Sequence, residues 1–274
     1  MKIDRDAPIG VFDSGVGGLT VAREIMRNLP SEKIVYFGDT ARVPYGSKSK
    51  DTVIRYSRQI IHFLEEQQVK AIVIACNTAS AFALDAVKDE LDIPVLGVIE
   101  AGAKVAAKET RNKRVGVIGT LGTVGSGIHE AYLKQLDPEI TVIGKACPLF
   151  VPLVEEGWLH DPVTTEIVSR YLQELKDKEI DTLILGCTHY PLIRSTIREV
   201  MGEGVRLVNP AYETARELKG LLQHYHILND EEPHLGENKY QFYVSDGAEK
   251  FKHFANSIIK YGILSAKTIK IDEY

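Results

Sequence analysis

The sequence lacks the features that mark several large classes of protein. No stretch approaches the roughly 18 consecutive apolar residues of a membrane-spanning helix. The N-terminal segment MKIDRDAPIGVFDSG has no apolar signal core, so we expect no export signal. No basic run or low-complexity segment occurs in the 274 residues, and the net charge is −5. We therefore expect neither a membrane nor a nucleic acid as a main partner.

Cysteine is also scarce. Cys76, Cys147 and Cys187 are the three cysteines of the chain, and they form no C-x-x-C pair. Three thiols cannot pair completely, which argues against a disulfide framework and fits a reducing cytoplasm. The remaining composition, with 44% hydrophobic and 26% charged residues, is that of an ordinary globular protein with a sizeable core.

Short β-branched runs alternate with amphipathic segments along the chain. Helical patterns cover residues 19–29, 51–67 and 77–91. The predicted strands are 9–12, 33–37, 71–75, 95–99, 115–119, 140–144, 182–186, 206–208, 240–244 and 268–271. This alternation predicts an α/β fold with mostly parallel sheets. Such sheets bind ligands beyond the carboxyl ends of their strands, so functional residues should follow strands.

Two pairs of segments within the chain resemble each other. IGVFDSGVGGLT (9–20) and VGVIGTLGTVGS (115–126) are both apolar strands that end in a Gly-rich turn. VKAIVIACNTASAF (69–82) and IDTLILGCTHYPLI (180–193) both run from an apolar strand into a cysteine and a threonine. Aligned in this way, the first cysteine of the chain matches the third.

The order and spacing of these segments predict two related halves. Asp13 precedes Cys76 by 63 residues, and Thr120 precedes Cys187 by 67. Coincidental similarity between two βα turns is the alternative. We predict two pseudo-symmetric α/β domains with the active site in the cleft between them, and a C-terminal tail that returns to the first domain because it is too short to stand alone. The predicted ranges are 1–98 with 211–274 for the first domain, and 99–210 for the second.

Two thiols at equivalent places in related halves would face each other across the cleft. The pKa of a thiol, about 8.5, lies near neutrality, and a nearby cation or helix N-terminus lowers it. One thiolate that removes a proton from a carbon, and one thiol that returns a proton to its opposite face, would invert that carbon. Cys76 and Cys187 are therefore candidate bases for interconverting mirror images.

Polar groups accompany both thiols. Asn77 and Thr78 follow the first, and Thr188 and His189 follow the second. We predict both pairs at helix N-termini, where free N–H groups and the helix dipole bind carboxylates.

The Gly-rich turn and one further loop add candidates. Asp13 and Ser14, after the first strand, could hold an ammonium group or a catalytic proton, and the glycines of GVGG would let the backbone approach a ligand closely. In RVPYGSKS (42–49), the Tyr45 hydroxyl and the Gly46 amide could close over a ligand.

Each candidate also has a purely structural interpretation. Without their matched positions, Cys76 and Cys187 would be ordinary buried core residues, and Cys147, in KACPLFVPL, is interpreted as one. His189 could serve as a helix cap, and Asp13 could merely cap a turn.

Other motifs are absent or incomplete. DSGVGG is not followed by the G-K-[ST] of a P-loop, and the G-x-S-x-G pattern of a nucleophile elbow is absent there. Cys187 and His189 have no further Cys/His cluster at ligand spacing, so we predict no metal site. No lysine stands in a setting that indicates pyridoxal phosphate, and we expect no cofactor.

Six segments, in order, resemble glutamate racemases. They are FDSGVGGLTV (12–21), YFGDTARVPYGSKS (36–49), ACNTASA (75–81), GVIGT (116–120), CPLFVPLVEEG (147–157) and LGCTHYPL (185–192). The resemblance implies a cofactor-independent isomerase that interconverts L- and D-glutamate and supplies D-glutamate for bacterial peptidoglycan. Since family members form dimers, it also implies a homodimer.

The resemblance further implies roles for individual residues. Cys76 and Cys187 match the two bases, of which the one matching Cys187 acts on L-glutamate and the other on D-glutamate. Asp13 and His189 match the residues that assist the thiols. The positions that hold the substrate are matched by Asp13, Ser14, Tyr45, Gly46, Asn77, Thr78, Thr120, Thr188 and His189.

The acidic partner of the histidine falls on one of two neighbours in PLVEEGWL. Glu155 matches it, and the adjacent Glu156 leaves the register open; by itself this pair would be a solvated helix face. The related aspartate racemases carry an acid in place of His189 and lack the DSGVGG turn. A sister racemase for another small acid, a two-domain binding protein without turnover, and a cysteine hydrolase or lyase are the other functions considered.

Overall fold

The computed structural model describes residues 3–230, 239–259 and 265–274. The strands are β1 (Ile9–Asp13), β2 (Ile34–Gly38), β3 (Ala71–Ile74), β4 (Val95–Gly97), β5 (Arg114–Gly119), β6 (Thr141–Ala146), β7 (Thr182–Gly186), β8 (Arg206–Val208), β9 (Tyr240–Val244) and β10 (Lys267–Thr268). The α-helices are α1 (Leu19–Asn28), α2 (Lys50–Glu66), α3 (Asn77–Val87), α4 (Ile99–Glu109), α5 (Leu121–Gly125), α6 (Ile128–Leu136), α7 (Phe150–Glu155), α8 (Pro162–Asp177), α9 (Arg194–Met201), α10 (Pro210–His224) and α11 (Ala248–Ile258).

These strands form two parallel sheets, which confirms the predicted fold class. The first has the order β10-β9-β2-β1-β3-β4, and the second has the order β6-β5-β7-β8. The order β2-β1-β3-β4 in the first sheet thus recurs as β6-β5-β7-β8 in the second. The segments matched in the sequence, β1 with β5 and β3 with β7, occupy equivalent places, and their carboxyl ends carry the candidate residues.

The central strands are buried on both faces, as continuous apolar runs in parallel sheets usually are. On one face of the first sheet Val11 and Tyr36 pack in a cluster with residues of α1 and α10. On the other face Phe12 and Phe37 pack in a cluster with residues of α2. Each such fully buried side chain contributes roughly 1.5–3 kcal/mol, so these helices are held mainly by their apolar faces.

The C-terminal tail joins the first sheet. Strand β9 pairs with β2, and β10 pairs with β9. The domain ranges given above remain a prediction. Of the loop predicted at 228–239, residues 231–238 lie outside the described part of the chain. Within the described part, no helix combines the length and apolarity needed to cross a bilayer.

Two predicted strands were too long. The strand predicted at 95–99 ends at Gly97, and Ile99 already begins α4. The strand predicted at 268–271 is reduced to Lys267–Thr268, and a 3-10 helix forms at Ile271–Glu273. Both are edge strands whose length is set by one neighbour, since β4 pairs only with three residues of β3 and β10 only with two of β9. The helix predicted at 77–91 also ends early, at Val87.

Candidate active site

A cavity of about 390 Å³ lies at the carboxyl ends of the strands of both sheets. Apart from Asp13, every residue predicted for the site lines it. The lining residues are Ser14, Gly15, Val43, Pro44, Tyr45, Gly46, Ser47, Cys76, Asn77, Thr78, Thr120, Leu121, Thr123, Pro148, Val151, Pro152, Glu155, Gly186, Cys187, Thr188 and His189. The topology therefore brings residues more than 170 positions apart in the sequence onto one wall.

The first thiol, Cys76, is the N-cap of α3. Its extended backbone lets Sγ accept a hydrogen bond from the Ala79 N–H at 3.4 Å, and Sγ lies 3.6 Å from the Ser14 hydroxyl. Burial, together with the nearby Asp13 carboxylate, raises the pKa of Cys76 to about 12. The expectation that a helix N-terminus lowers this pKa is wrong here, because desolvation outweighs the amide hydrogen bond. Cys76 is therefore a thiol at neutral pH.

Asp13 lies behind the cavity wall. It ends β1 and is 1% exposed, and its Oδ2 accepts hydrogen bonds from the N–H groups of Gly15 at 3.0 Å and Gly18 at 2.9 Å. Burial raises its pKa, although His189 and these amides act in the opposite direction. Within the described residues its Oδ1 has no hydrogen-bond partner. Asp13 thus fixes the Gly-rich turn and acts on Cys76 and His189 through its charge.

The second thiol, Cys187, directly follows β7. Its Sγ lies 3.8 Å from His189 Nδ1, and His189 Nε2 lies 3.1 Å from Glu155 Oε1. Glu155 ends α7 and is half-buried, whereas Glu156 is exposed, so the structure pairs the histidine with Glu155. The α-helix N-terminus expected after Cys187 is absent from this described segment: a turn is followed by a 3-10 helix at Tyr190–Ile193.

The imidazole is held in its charged form. Burial alone would lower the pKa of His189, but hydrogen bonds to Cys187 and Glu155 and the charge of Asp13 raise it to about 10. The same hydrogen bond to His189 lowers the pKa of Glu155. At neutral pH a buried imidazolium therefore lies beside the Cys187 sulfur, and such a cation stabilises a thiolate.

Small polar groups line the wall between the two thiols. Thr78 Oγ1 lies 2.9 Å from Thr120 Oγ1 and 3.1 Å from Thr123 Oγ1, so hydroxyls from both sheets meet here. Asn77 is buried, and its Oδ1 has no hydrogen-bond partner among the described residues. A buried amide oxygen facing a cavity needs a donor, and an ammonium group supplies one.

The loop after β2 adds a buried carboxylate to the site. Tyr45 lines the cavity, and its hydroxyl donates to Asp39; the predicted contact of Tyr45 with a ligand stays a prediction. Asp39 also accepts from Arg42 Nε at 2.7 Å and from the Ser245 hydroxyl at 2.8 Å. At Gly46 a Cβ would lie 2.4 Å from that of Thr120, so only glycine allows this close approach. The Gly46 amide stays a candidate ligand contact.

Two polar residues of the site were missed by the sequence reasoning. Asp39 directly follows β2, and the rule that functional groups follow parallel strands could have identified it. Thr123 stands three residues after Thr120, whose side chain caps α5 by accepting from the Thr123 N–H. The Thr123 hydroxyl could not be identified from the sequence, because its partner Thr78 belongs to the other sheet.

The residue types leave little scope for a metal. In residues 3–230, 239–259 and 265–274, no group of three or more His, Cys, Asp and Glu side chains could hold a metal ion. What the cavity offers is one neutral thiol, one thiol beside a cation, and hydroxyl and amide groups suited to carboxylates and an ammonium group.

Residues 9–218 match the sequence profile of the Asp/Glu/Hydantoin racemase family. The chain is 50% identical over 251 residues to the glutamate racemase of Geobacter metallireducens, and the alignment covers 92% of both chains. Among solved structures, glutamate racemase isoform RacE1 from Bacillus anthracis superposes with a TM-score of 0.91 at 42% identity, covering 97% of this chain and 98% of that one. The Francisella tularensis glutamate racemase, solved with D-glutamate, also gives 0.91, at 39% identity over 98% of this chain and 100% of that one.

Proposed function

The chain belongs to the Asp/Glu/Hydantoin racemase family, and we propose that it interconverts L- and D-glutamate without a cofactor by using Cys76 and Cys187 as its two bases. Identity of up to 50% to glutamate racemases over nearly the whole chain supports both the class, amino-acid racemase, and the substrate. The observation that carries the two-base mechanism is the pair of thiols at equivalent strand ends on one cavity.

The proton balance follows from the two environments. With L-glutamate bound, the Cys187 thiolate takes the Cα proton, and the electron pair remains on Cα and its carboxylate. The Cys76 thiol then gives its proton to the opposite face. The product is D-glutamate, with the proton now on Cys187 and the thiolate on Cys76. D-Glutamate reacts by the same steps in reverse.

The other predicted residues would hold the substrate. Asn77 Oδ1 would accept from the ammonium group, and the hydroxyls of Ser14, Thr78, Thr120 and Thr188 would donate to carboxylates. Donors fixed before binding stabilise the charge that develops in the transition state without reorganising. Asp13 and the His189–Glu155 pair tune the two thiols from behind.

The wider role rests on the resemblance. We include in the proposal that the enzyme works in the cytoplasm, as a homodimer, and supplies D-glutamate for peptidoglycan and hence for cell-wall biogenesis and cell shape. Depletion of the enzyme in its host should then weaken the wall, and added D-glutamate should restore it. Sedimentation of the purified protein tests the dimer.

The decisive experiment is incubation of L-glutamate in D2O without added cofactor, followed by NMR and chiral analysis. We expect deuterium at Cα and conversion to an equal mixture of enantiomers. If glutamate gains no deuterium and is not inverted, the result would indicate a binding protein without turnover. Faster inversion of aspartate or another small acid would indicate a sister racemase.

Variants of the thiols test the mechanism. Cys76→Ser and Cys187→Ser should each lower the racemisation rate by roughly 100- to 10,000-fold, the usual contribution of a positioned acid or base. Cys147→Ser should remain active, because Cys147 is fully buried and does not line the cavity. Full activity after loss of either Cys76 or Cys187 would indicate a single-nucleophile enzyme.

A further inference from the structure

The turn that begins α1 lies directly against the loop that carries the second thiol. A Cβ at Gly17 would lie 2.3 Å from Thr188 Oγ1, 2.5 Å from His189 Nδ1 and 2.6 Å from His189 Cε1. The sequence predicted that this glycine lets the backbone approach a ligand. In the structure it lets the backbone approach the edge of the imidazole that faces Cys187.

A hydrogen bond joins the same two segments. The Thr20 hydroxyl is fully buried and lies 3.0 Å from the Thr188 carbonyl oxygen and 2.9 Å from that of Gly17, so its single proton is shared between them. Thr20 and Gly17 follow β1 of the first sheet, whereas Thr188 follows β7 of the second. We call Gly17 and Thr20 the α1 seat.

We propose that the α1 seat positions His189, and through it Cys187, for proton transfer; this inference rests on the proposed two-thiol function. The imidazole is held by Cys187 on one nitrogen and Glu155 on the other, and Gly17 closes a third side. Because the seat belongs to the first half and the histidine to the second, the Cys187 site is complete only where the two halves meet.

The size of the effect follows from the distances. Atoms in ordinary contact lie about 3.5–4.0 Å apart, so a methyl group at residue 17 must displace Thr188 and His189 by roughly 1 Å. A misplacement of about 1 Å at a reacting group can cost about 100-fold in rate. Within the described residues, the hydrogen bonds of Cys76 involve Ser14 and Ala79 and not the seat, so the loss should fall on the Cys187 proton transfer.

The first test is Gly17→Ala, measured with glutamate carrying deuterium at Cα. We expect kcat/KM to fall about 100-fold in both directions, as an equilibrium constant of one requires. The primary isotope effect should rise for L-glutamate, because Cys187 removes that proton, and fall for D-glutamate. Gly220→Ala is the control, since a Cβ there meets nothing within 4 Å. Unchanged isotope effects in Gly17→Ala would overturn the proposal.

A second readout needs no turnover. Iodoacetamide labelling of the substrate-free protein, followed by peptide mass spectrometry, gives the ratio of labelling at Cys187 to that at Cys76. We expect this ratio to fall several-fold in Gly17→Ala and to stay at the wild-type value in Gly220→Ala. If the wild type racemises no glutamate, the proposed function fails, but the ratio still decides whether the seat acts on Cys187.

Variants of Thr20 keep the proposal testable if Gly17→Ala does not fold. Thr20→Val removes the hydroxyl at nearly constant volume, and Thr20→Ser restores it. We expect Thr20→Val to shift the isotope effects and the labelling ratio in the same directions as Gly17→Ala, and Thr20→Ser to recover most of the loss. Equal behaviour of the two variants would contradict a seat built on this hydrogen bond.

Discussion

At the scale of single residues, the two thiols have the same exposure but different electrostatic surroundings. Each is 6% exposed. Burial and Asp13 keep Cys76 protonated, whereas Cys187 is hydrogen-bonded to a histidine whose pKa is about 10. Under the proposed mechanism the resting enzyme is prepared for L-glutamate. After one turnover the charge sits on Cys76, where burial disfavours it, so protons must redistribute before the next L-glutamate reacts.

Glu155→Gln tests how the imidazolium is maintained. We expect it to lower the pKa of His189, because a neutral amide replaces the carboxylate that stabilises the cation. Each pKa unit lost changes the protonation equilibrium roughly tenfold, so activity should fall first at alkaline pH. NMR titration of labelled histidine, beside a pH–rate profile, measures both effects. The matched control is Glu156→Gln, at the exposed neighbour of Glu155. It should change neither the pKa of His189 nor the pH–rate profile.

The His189–Glu155 pair also predicts that the stability of the protein depends on pH. In the folded protein the pKa of His189, about 10, lies above its ordinary value of 6.5. Its contribution to the free energy of unfolding is therefore fully present below about pH 6.5 and is lost as the pH rises toward 10. In urea unfolding, Glu155→Gln should be less stable than the wild type at pH 6.5, and the gap should narrow toward pH 10. A gap independent of pH would contradict this account.

The sequence predicted these residues unevenly, for a physical reason. Cys76 and Cys187 could be paired because the fold repeats and strand ends are local signals. The hydrogen bond from the Tyr45 hydroxyl to Asp39, six positions earlier in the chain, was not predicted, because the direction of a side chain depends on how its loop folds. The approach of Gly17 to His189 was not predicted either, because its closest neighbours are 171 and 172 positions away in the chain.

At the scale of elements, prediction succeeded where burial alone determines a strand. The predicted strand at 182–186 coincides with β7, and that at 9–12 differs from β1 by one residue. Both strands are central and buried on both faces. The edge strands β4 and β10 were overestimated, because pairing with a single neighbour sets their length and the sequence does not show where that pairing ends.

Tyr45→Phe tests how the loop after β2 is held. The Tyr45 hydroxyl donates to Asp39, which also binds Arg42 and, after β9, Ser245. Because a hydrogen bond to a charged group contributes about 1.5–3 kcal/mol, we expect a loss of that order in the free energy of unfolding. The KM for glutamate should rise several-fold with a smaller change in kcat, since the loop carries the Gly46 amide and neither thiol.

Tyr56→Phe provides the comparison for that variant. It retains the ring, whose centroid lies 4.0 Å from the Arg42 guanidinium carbon, and loses only a hydroxyl. Urea unfolding and steady-state kinetics should place it close to the wild type. Equal losses in Tyr45→Phe and Tyr56→Phe would show that the hydrogen bond to Asp39 is not what holds the loop.

At the scale of the whole molecule, the two ends of the first sheet have different tasks. The carboxyl ends of its strands face the cavity. Near the amino ends, Lys70 and Glu32 form a buried ion pair at 2.6 Å. The Lys70 ammonium also donates to the carbonyls of Arg5 and Ile227, and Glu32 accepts from the Asn229 N–H. This cluster joins the N-terminal segment to the chain that follows α10, away from the residues that line the cavity.

Lys70→Met should therefore separate stability from catalysis. Burial raises the pKa of Glu32 and lowers that of Lys70, because it disfavours the charged form of each group. The attraction between the two charges offsets part of this cost. Removing one partner leaves a buried carboxylate without its cation, at a cost of about 3–5 kcal/mol. Adding Glu32→Leu should recover part of this, although the two backbone carbonyls stay without their donor. Urea unfolding measures the loss, and kcat of the remaining folded enzyme should match the wild type. A double variant no more stable than Lys70→Met would show that the unpaired carboxylate is not the cause of the loss. A kcat that falls while the protein stays folded would show that the amino ends of the strands are not independent of the catalytic end.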